Sequence, residues 1–110
     1  MKKIFITGVD TDIGKTYVSI GLAISQSKIQ KTGYFKPFQS GAYEEQGILK
    51  APDIVELSKY SNVKSGYSYL LKGEVSPYLA SKLSNTKIDI NKVVNDINDF
   101  SSNLDLTIIE

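Results

Sequence analysis

Gly8-Val9-Asp10-Thr11-Asp12-Ile13-Gly14-Lys15-Thr16 is a glycine-bracketed loop that closes on Lys-Thr. Before it runs Lys3-Ile4-Phe5-Ile6-Thr7, a short apolar, β-branched and aromatic stretch suited to a buried strand. After it, Tyr17 to Ser27 carry apolar residues at helical spacing. A loop between strand and helix can turn its backbone N–H groups inward, and the helix start adds unpaired N–H groups and the positive end of the dipole. A polyphosphate fits such a cradle. In the usual motif the lysine, here Lys15, reaches the β- and γ-phosphates, and the Thr16 hydroxyl ligates Mg²⁺. Five residues separate Gly8 from Gly14, so the loop is a variant of the commoner four-residue form. The bland alternative is a strand-to-helix turn with an incidental Lys-Thr, and the flanking strand and helix weigh against it.

With 110 residues the chain can build one small domain with a core, but it is short for a complete nucleotide-binding α/β enzyme. A hydrophobic share of 41% against 23% charged residues belongs to a soluble globular protein. Thirteen basic against twelve acidic residues give no electrostatic case for nucleic acid or an anionic membrane as partner. Having neither cysteine nor histidine, the chain cannot use thiol nucleophiles, disulfides, Cys/His zinc sites or a histidine base. The apolar run behind Lys2-Lys3 is too short for a secretory signal or a membrane span, which makes the cytoplasm the expected compartment.

Outward from the loop, Val18, Leu22, Ala23 and Ile24 are available for burial, and Gly33 reads as the stop signal of the first helix. Tyr34-Phe35-Lys36 reads as a brief second strand ending at Pro37, which has no N–H for a ladder. Strand, helix and strand make a βαβ unit and predict a parallel sheet with right-handed connections. Gln39 to Ala51, with Gly41, Gly47 and Glu44-Glu45, reads as a mobile, solvated loop. Pro52 opens a modest helix to about Tyr60, and Tyr67 to Leu71 is a thin candidate for a strand. Ser76-Pro77 has the form of a helix start leading into Leu79, Ala80 and Leu83. Ile90, Val93, Val94 and Ile97 mark an amphipathic helix behind the capping residue Asp89. Leu104 to Glu110 is a buried-type strand ending on an acid, expected at an open edge of the sheet.

Magnesium takes oxygen ligands from hydroxyls, one or two carboxylates, phosphates and water, so the candidates are Thr16, Asp53 and Glu110. In open parallel sheets ligands bind beyond the carboxyl ends of the strands, where the Gly8 loop and Glu110 would both lie. A solvated chain end is the plainer explanation of Glu110, which the phosphate-type loop weighs against, while the helix dipole alone would favour Asp53 in a first turn. Lys36, at the end of the second strand, brings another positive charge of the kind that offsets charge developing in phosphoryl transfer, although strand-end lysines are commonly just surface residues. Ser40 could hydrogen-bond a substrate.

Taken in order and spacing, Gly8-x-Asp10-Thr11-Asp12-x-Gly14-Lys15-Thr16, Lys36-Pro37-x-x-Ser40-Gly41, Asp53, Ser76-Pro77 and Ile109-Glu110 resemble the dethiobiotin synthetase family, whose own loop has the five-residue gap. The resemblance covers the whole chain, which matches about the first half of a typical member. It implies a P-loop NTPase-like α/β fold, a parallel sheet with helices on both faces, with residues 1–110 as one nucleotide-binding domain, truncated relative to the family. It implies a Mg²⁺- and ATP-dependent ring closure in biotin synthesis. There 7,8-diaminononanoate and CO₂ form a carbamate, ATP phosphorylates it to a carbamic-phosphoric anhydride, and the second amine displaces phosphate.

On that mapping Lys15 and Lys36 are catalytic, and Thr11, Lys36 and Ser40 hold the substrate. Asp12, Ile13, Gly14, Lys15, Thr16, Tyr17, Asp53 and Glu110 bind the nucleotide, and Thr16, Asp53 and Glu110 hold Mg²⁺. The family often has Glu where Asp12 stands. It continues past the final glutamate with a Gly-Ala-Gly-Gly turn, adenine contacts and a helix that binds the substrate carboxylate across a homodimer interface, so the chain by itself is expected not to catalyse the reaction. Other classes remain: a switch ATPase of the partitioning type, which carries a lysine early in the loop where this chain has Val9-Asp10, and an inactive nucleotide-binding fragment.

Overall fold

Alternation of buried side chains across one strand pair organises the molecule. A computed structural model describes residues 2–8, 14–73, 79, 82 and 85–110. Its elements are β1 (Lys2–Phe5), α1 (Lys15–Ser27), β2 (Thr32–Glu45), β3 (Ile48–Lys50), α2 (Pro52–Ser58), β4 (Lys64–Lys72), α3 (Ile90–Ser101) and β5 (Leu106–Ile109). The parallel strands lie in the order β1-β5-β2-β4, while β3 pairs antiparallel with the end of β2.

Successive strand residues point to opposite faces. Tyr34, Leu106 and Ile108 pack with Ile20 and Ala23 of α1 and with Leu57 of α2. On the other face Phe35 meets Phe100 of α3, ring centroids 5.0 Å apart, and Thr107 Oγ1 donates to Ser101 Oγ at 2.7 Å. The fold is therefore an α/β sandwich with a mostly parallel sheet and helices on both faces. Asp89 caps α3, accepting from the Asn91 N–H at 2.9 Å.

Four sequence expectations are corrected. Gly33 does not stop α1 but lies inside β2, where an added Cβ would come within 2.7 Å of Phe100 Cε1 and also collide with Leu104. Its lack of a side chain lets α3 approach the sheet. Nor does Pro37 end the second strand. Its ladder with β4 passes from Lys36↔Tyr67 to Phe38↔Tyr69, so β2 continues on both sides of the proline.

The stretch from Gln39 is likewise no loop. β2 runs on to Glu45 and turns back through Gln46 and Gly47 (φ 53° and 78°) into β3. Two consecutive positive φ values characterise the tight turns that suit hairpin twist. Finally, β5 is not an edge strand: it lies between β1 and β2, and all four of its residues are buried. Among the described residues β1 holds the edge instead, with Phe5 65% exposed.

β4 is longer than the Tyr67–Leu71 expected, because it pairs with β2 from Gly33 as far as Ala42. In α3, Val93 is buried but Ile90 and Val94 are exposed, since the helix docks mainly through its last turns, where Phe100 lies over Gly33 and Gly66. The expected helix start at Ser76-Pro77 lies outside the described residues, as do Ala80 and Leu83.

Candidate functional site

Helix α1 starts from Gly14, whose φ of 95° lies in the left-handed region that glycine enters without a Cβ penalty. Gly14 C=O accepts from the Val18 N–H at 3.0 Å, and no side chain caps the helix. Lys15, Thr16 and Tyr17 therefore form a first turn at the positive end of the dipole. β5 delivers Glu110 one residue past its last pair, Phe35↔Ile109, and β2 delivers Lys36 at the same level. The first turn of α2 supplies Asp53. These residues meet at the carboxyl edge of the parallel strands and line a cavity of about 460 Å³ formed by Gly14, Lys15, Thr16, Tyr17, Lys36, Asp53 and Glu110.

Inside the cavity the side chains of Thr16, Lys36, Asp53 and Glu110 each meet a group from another element. Thr16 Oγ1 donates to Glu110 Oε2 at 2.6 Å, and Tyr34 Oη donates to Glu110 Oε1 at 2.8 Å. Lys36 Nζ is paired with Asp53 Oδ2 and lies 3.6 Å from Glu110 Oε2. The Glu110 side chain is only 4% exposed, so its charge depends on these donors rather than on water. Burial, followed by the Glu110 charge and hydrogen bond and then the Asp53 charge, raises the Tyr34 phenol far above its ordinary range and keeps it a donor.

The structure thus brings together Gly14, Lys15, Thr16, Tyr17, Lys36, Asp53 and Glu110. Thr11, Asp12 and Ile13 lie outside the described residues. Ser40 does not line the cavity; its C=O accepts from Gln39 Nε2 at 2.7 Å. Tyr17 lines the rim with 86% exposure. Among the described residues no helix is long and apolar enough to cross a membrane.

A family model described as an AAA domain matches residues 2–110. The chain belongs to this AAA domain family. Among the proteins it resembles is the ATP-dependent dethiobiotin synthetase of Fusobacterium nucleatum, 43% identical over 95 residues, which cover 84% of this chain and 43% of the relative. The corresponding protein of Anoxybacillus flavithermus is 36% identical over 114 residues, covering 100% of this chain and 51% of the relative. That of Clostridium perfringens is 34% identical over 115 residues, covering 99% and 50%. The chain spans about half the length of the curated relatives it matches.

Two residues of this AAA domain escaped sequence reading. Tyr34 reads only as a strand tyrosine, yet two-residue alternation puts it on the face of Lys36, which was the available signal. Gln39, 5% exposed, accepts from the Asp53 N–H at 3.3 Å and so ties α2 to β2. Nothing in its sequence context marks it.

Proposed function

We propose that this chain builds the phosphate and metal end of an ATP-dependent dethiobiotin synthetase. The carrying observation is that Thr16, Lys36, Asp53 and Glu110, from four separate elements, converge on one cavity beside Lys15 and the open N-terminus of α1. The similarity to enzymes named for that reaction supports the same reading.

In this proposal the first-turn N–H groups and Lys15 hold the polyphosphate. Asp53 Oδ2 and Glu110 Oε2 flank one cation, Lys36 Nζ, and Thr16 Oγ1 joins them through Glu110 Oε2; these hard oxygen donors fit Mg²⁺ with phosphate and water oxygens completing its shell. Bound there, Mg²⁺ would neutralise phosphate charge. An amine of 7,8-diaminononanoate adds to CO₂ and loses a proton, giving a carbamate. A carbamate oxygen then attacks the γ-phosphorus and ADP leaves. The second amine attacks the anhydride carbonyl, phosphate departs with the C–O electron pair, and the ureido ring closes as the amine loses its proton.

Lys36 exchanges a carboxylate partner for the carbamate and its transferring phosphoryl group, placing its charge where negative charge develops. Thr11 and Ser40 belong to the substrate side, and Asp12, Ile13 and Tyr17 to the nucleotide side. The enzyme in this reading is a cytoplasmic homodimer in which residues 1–110 form the first part of a longer P-loop domain. Calorimetric titration with Mg-ATP tests the site: heat from the intact chain should be lost in Lys15→Ala, and equal heats would remove the loop from the proposal. Diamine- and bicarbonate-dependent phosphate release, measured on this chain joined to the remaining part of the Anoxybacillus relative, tests the reaction.

A further inference from the structure

Glu110 is the most enclosed charge at the site, and its two oxygens have different partners. Oε2 faces the cavity, accepting from Thr16 and lying 3.6 Å from Lys36 Nζ, while Oε1 accepts only from the Tyr34 hydroxyl among the contacts given by the described residues. The Glu110 N–H is also fixed, donating to Phe35 C=O at 3.1 Å. Tyr34 is 0% exposed and packs in the cluster formed by α1, α2 and β5, so its hydroxyl is carried by the core and not by a mobile rim. We propose that Tyr34 is a positioning residue that locks the Glu110 carboxylate with Oε2 turned to the divalent cation.

The inference rests on the reading of Thr16, Asp53 and Glu110 as cation ligands. A ligating carboxylate is normally oriented by a hydrogen bond to its other oxygen. Without Tyr34 Oη, the carboxylate could rotate and offer both oxygens to Lys36, closing an ion pair in the space the cation needs. Tyr34 touches neither nucleotide nor reacting atoms in this role; it acts through Glu110.

The test is calorimetric titration of ATP into the intact chain, once with Mg²⁺ and once with a chelator, for the unsubstituted protein and Tyr34→Phe. The expected result is a loss of about tenfold or more in the Mg²⁺-dependent gain in affinity, as for other residues that orient metal ligands. Metal-free ATP affinity should change by less than about twofold, a split that a general structural defect would not produce. A Mg²⁺ gain in Tyr34→Phe within about twofold of the unsubstituted chain would overturn the inference while leaving the cation site itself intact. No Mg²⁺ gain in the unsubstituted chain would overturn both.

Circular dichroism checks the fold of the variant. If Tyr34→Phe unfolds the chain, the decision passes to the ring-carbon NMR signal of Tyr34 in the ¹³C-tyrosine-labelled, unsubstituted chain. That signal should shift when Mg²⁺ is added to the ATP-bound protein, and an unchanged signal would overturn the inference.

Discussion

Lys36 sits between two carboxylates from different elements, so its removal should weigh far more on reaction than on binding. Lys36→Ala leaves Asp53 and Glu110 without their shared cation, which favours rather than opposes divalent metal there. In the proposed reaction, by contrast, charge on the carbamate and the transferring phosphoryl group would lose a stabiliser that acts chiefly in the transition state. In the chain joined to the remaining part of a relative, turnover should fall on the order of 10² to 10³. Mg-ATP affinity should stay within about threefold, and kcat measured beside a calorimetric Kd checks the split. Lys15, Thr16, Asp53 and Glu110 could be brought to one cavity from the sequence because each stands at or beside an element boundary, whereas Lys36 lies inside β2 and reaches the same cavity although the strand does not end there. Tyr34 was not legible in the sequence, because its role depends on a hydrogen bond to a residue 76 positions away, and only strand pairing defines that neighbour.

Elements were most legible where one local signal matched one tertiary outcome. Asp89 before Ile90 announced α3, and the side chain does cap it. Asp89→Ala should therefore cost about 1 kcal/mol, read as a lower urea midpoint with an unchanged slope. Signals with two meanings misled. Gly33 fits a helix stop as well as a close approach, and only Phe100 and Leu104 over its α-carbon decide between them. Since a methyl there forces α3 off the sheet, Gly33→Ala should destabilise by about 1–3 kcal/mol. Pro37 misled similarly, because a proline can sit within a strand when pairing resumes on either side of it, as it does here against β4. Gln46-Gly47 carried a hairpin turn, but the polar Glu44-Glu45 pair before it hid the strand, since that end of β2 is solvated and lacks an apolar alternation.

At the scale of the whole molecule, the strand expected at the edge, Leu104 to Glu110, is enclosed, and a different strand is exposed. With β5 enclosed between β1 and β2, β1 pairs on one side only with β5, and its other side has no strand partner among the described residues. Both Ile4, 38% exposed, and Phe5, 65% exposed, stand on this edge, so an unpaired backbone ladder coincides with apolar side chains. Such an edge is a template for a strand of another copy, and natural proteins discourage this pairing with charged residues. Lys2 and Lys3 supply some of that protection, at the start of the strand and not at its apolar end. The isolated chain should therefore self-associate with rising concentration, and Phe5→Lys should suppress it. The substitution removes exposed apolar area without touching the cavity, so Mg-ATP heat per folded chain should be unchanged. Sedimentation velocity of both proteins over a hundredfold concentration range checks this. A weight-average mass that rises equally in the two would place the association on another surface, and one that stays at 12.1 kDa for the unsubstituted chain would show that the lysines already suffice.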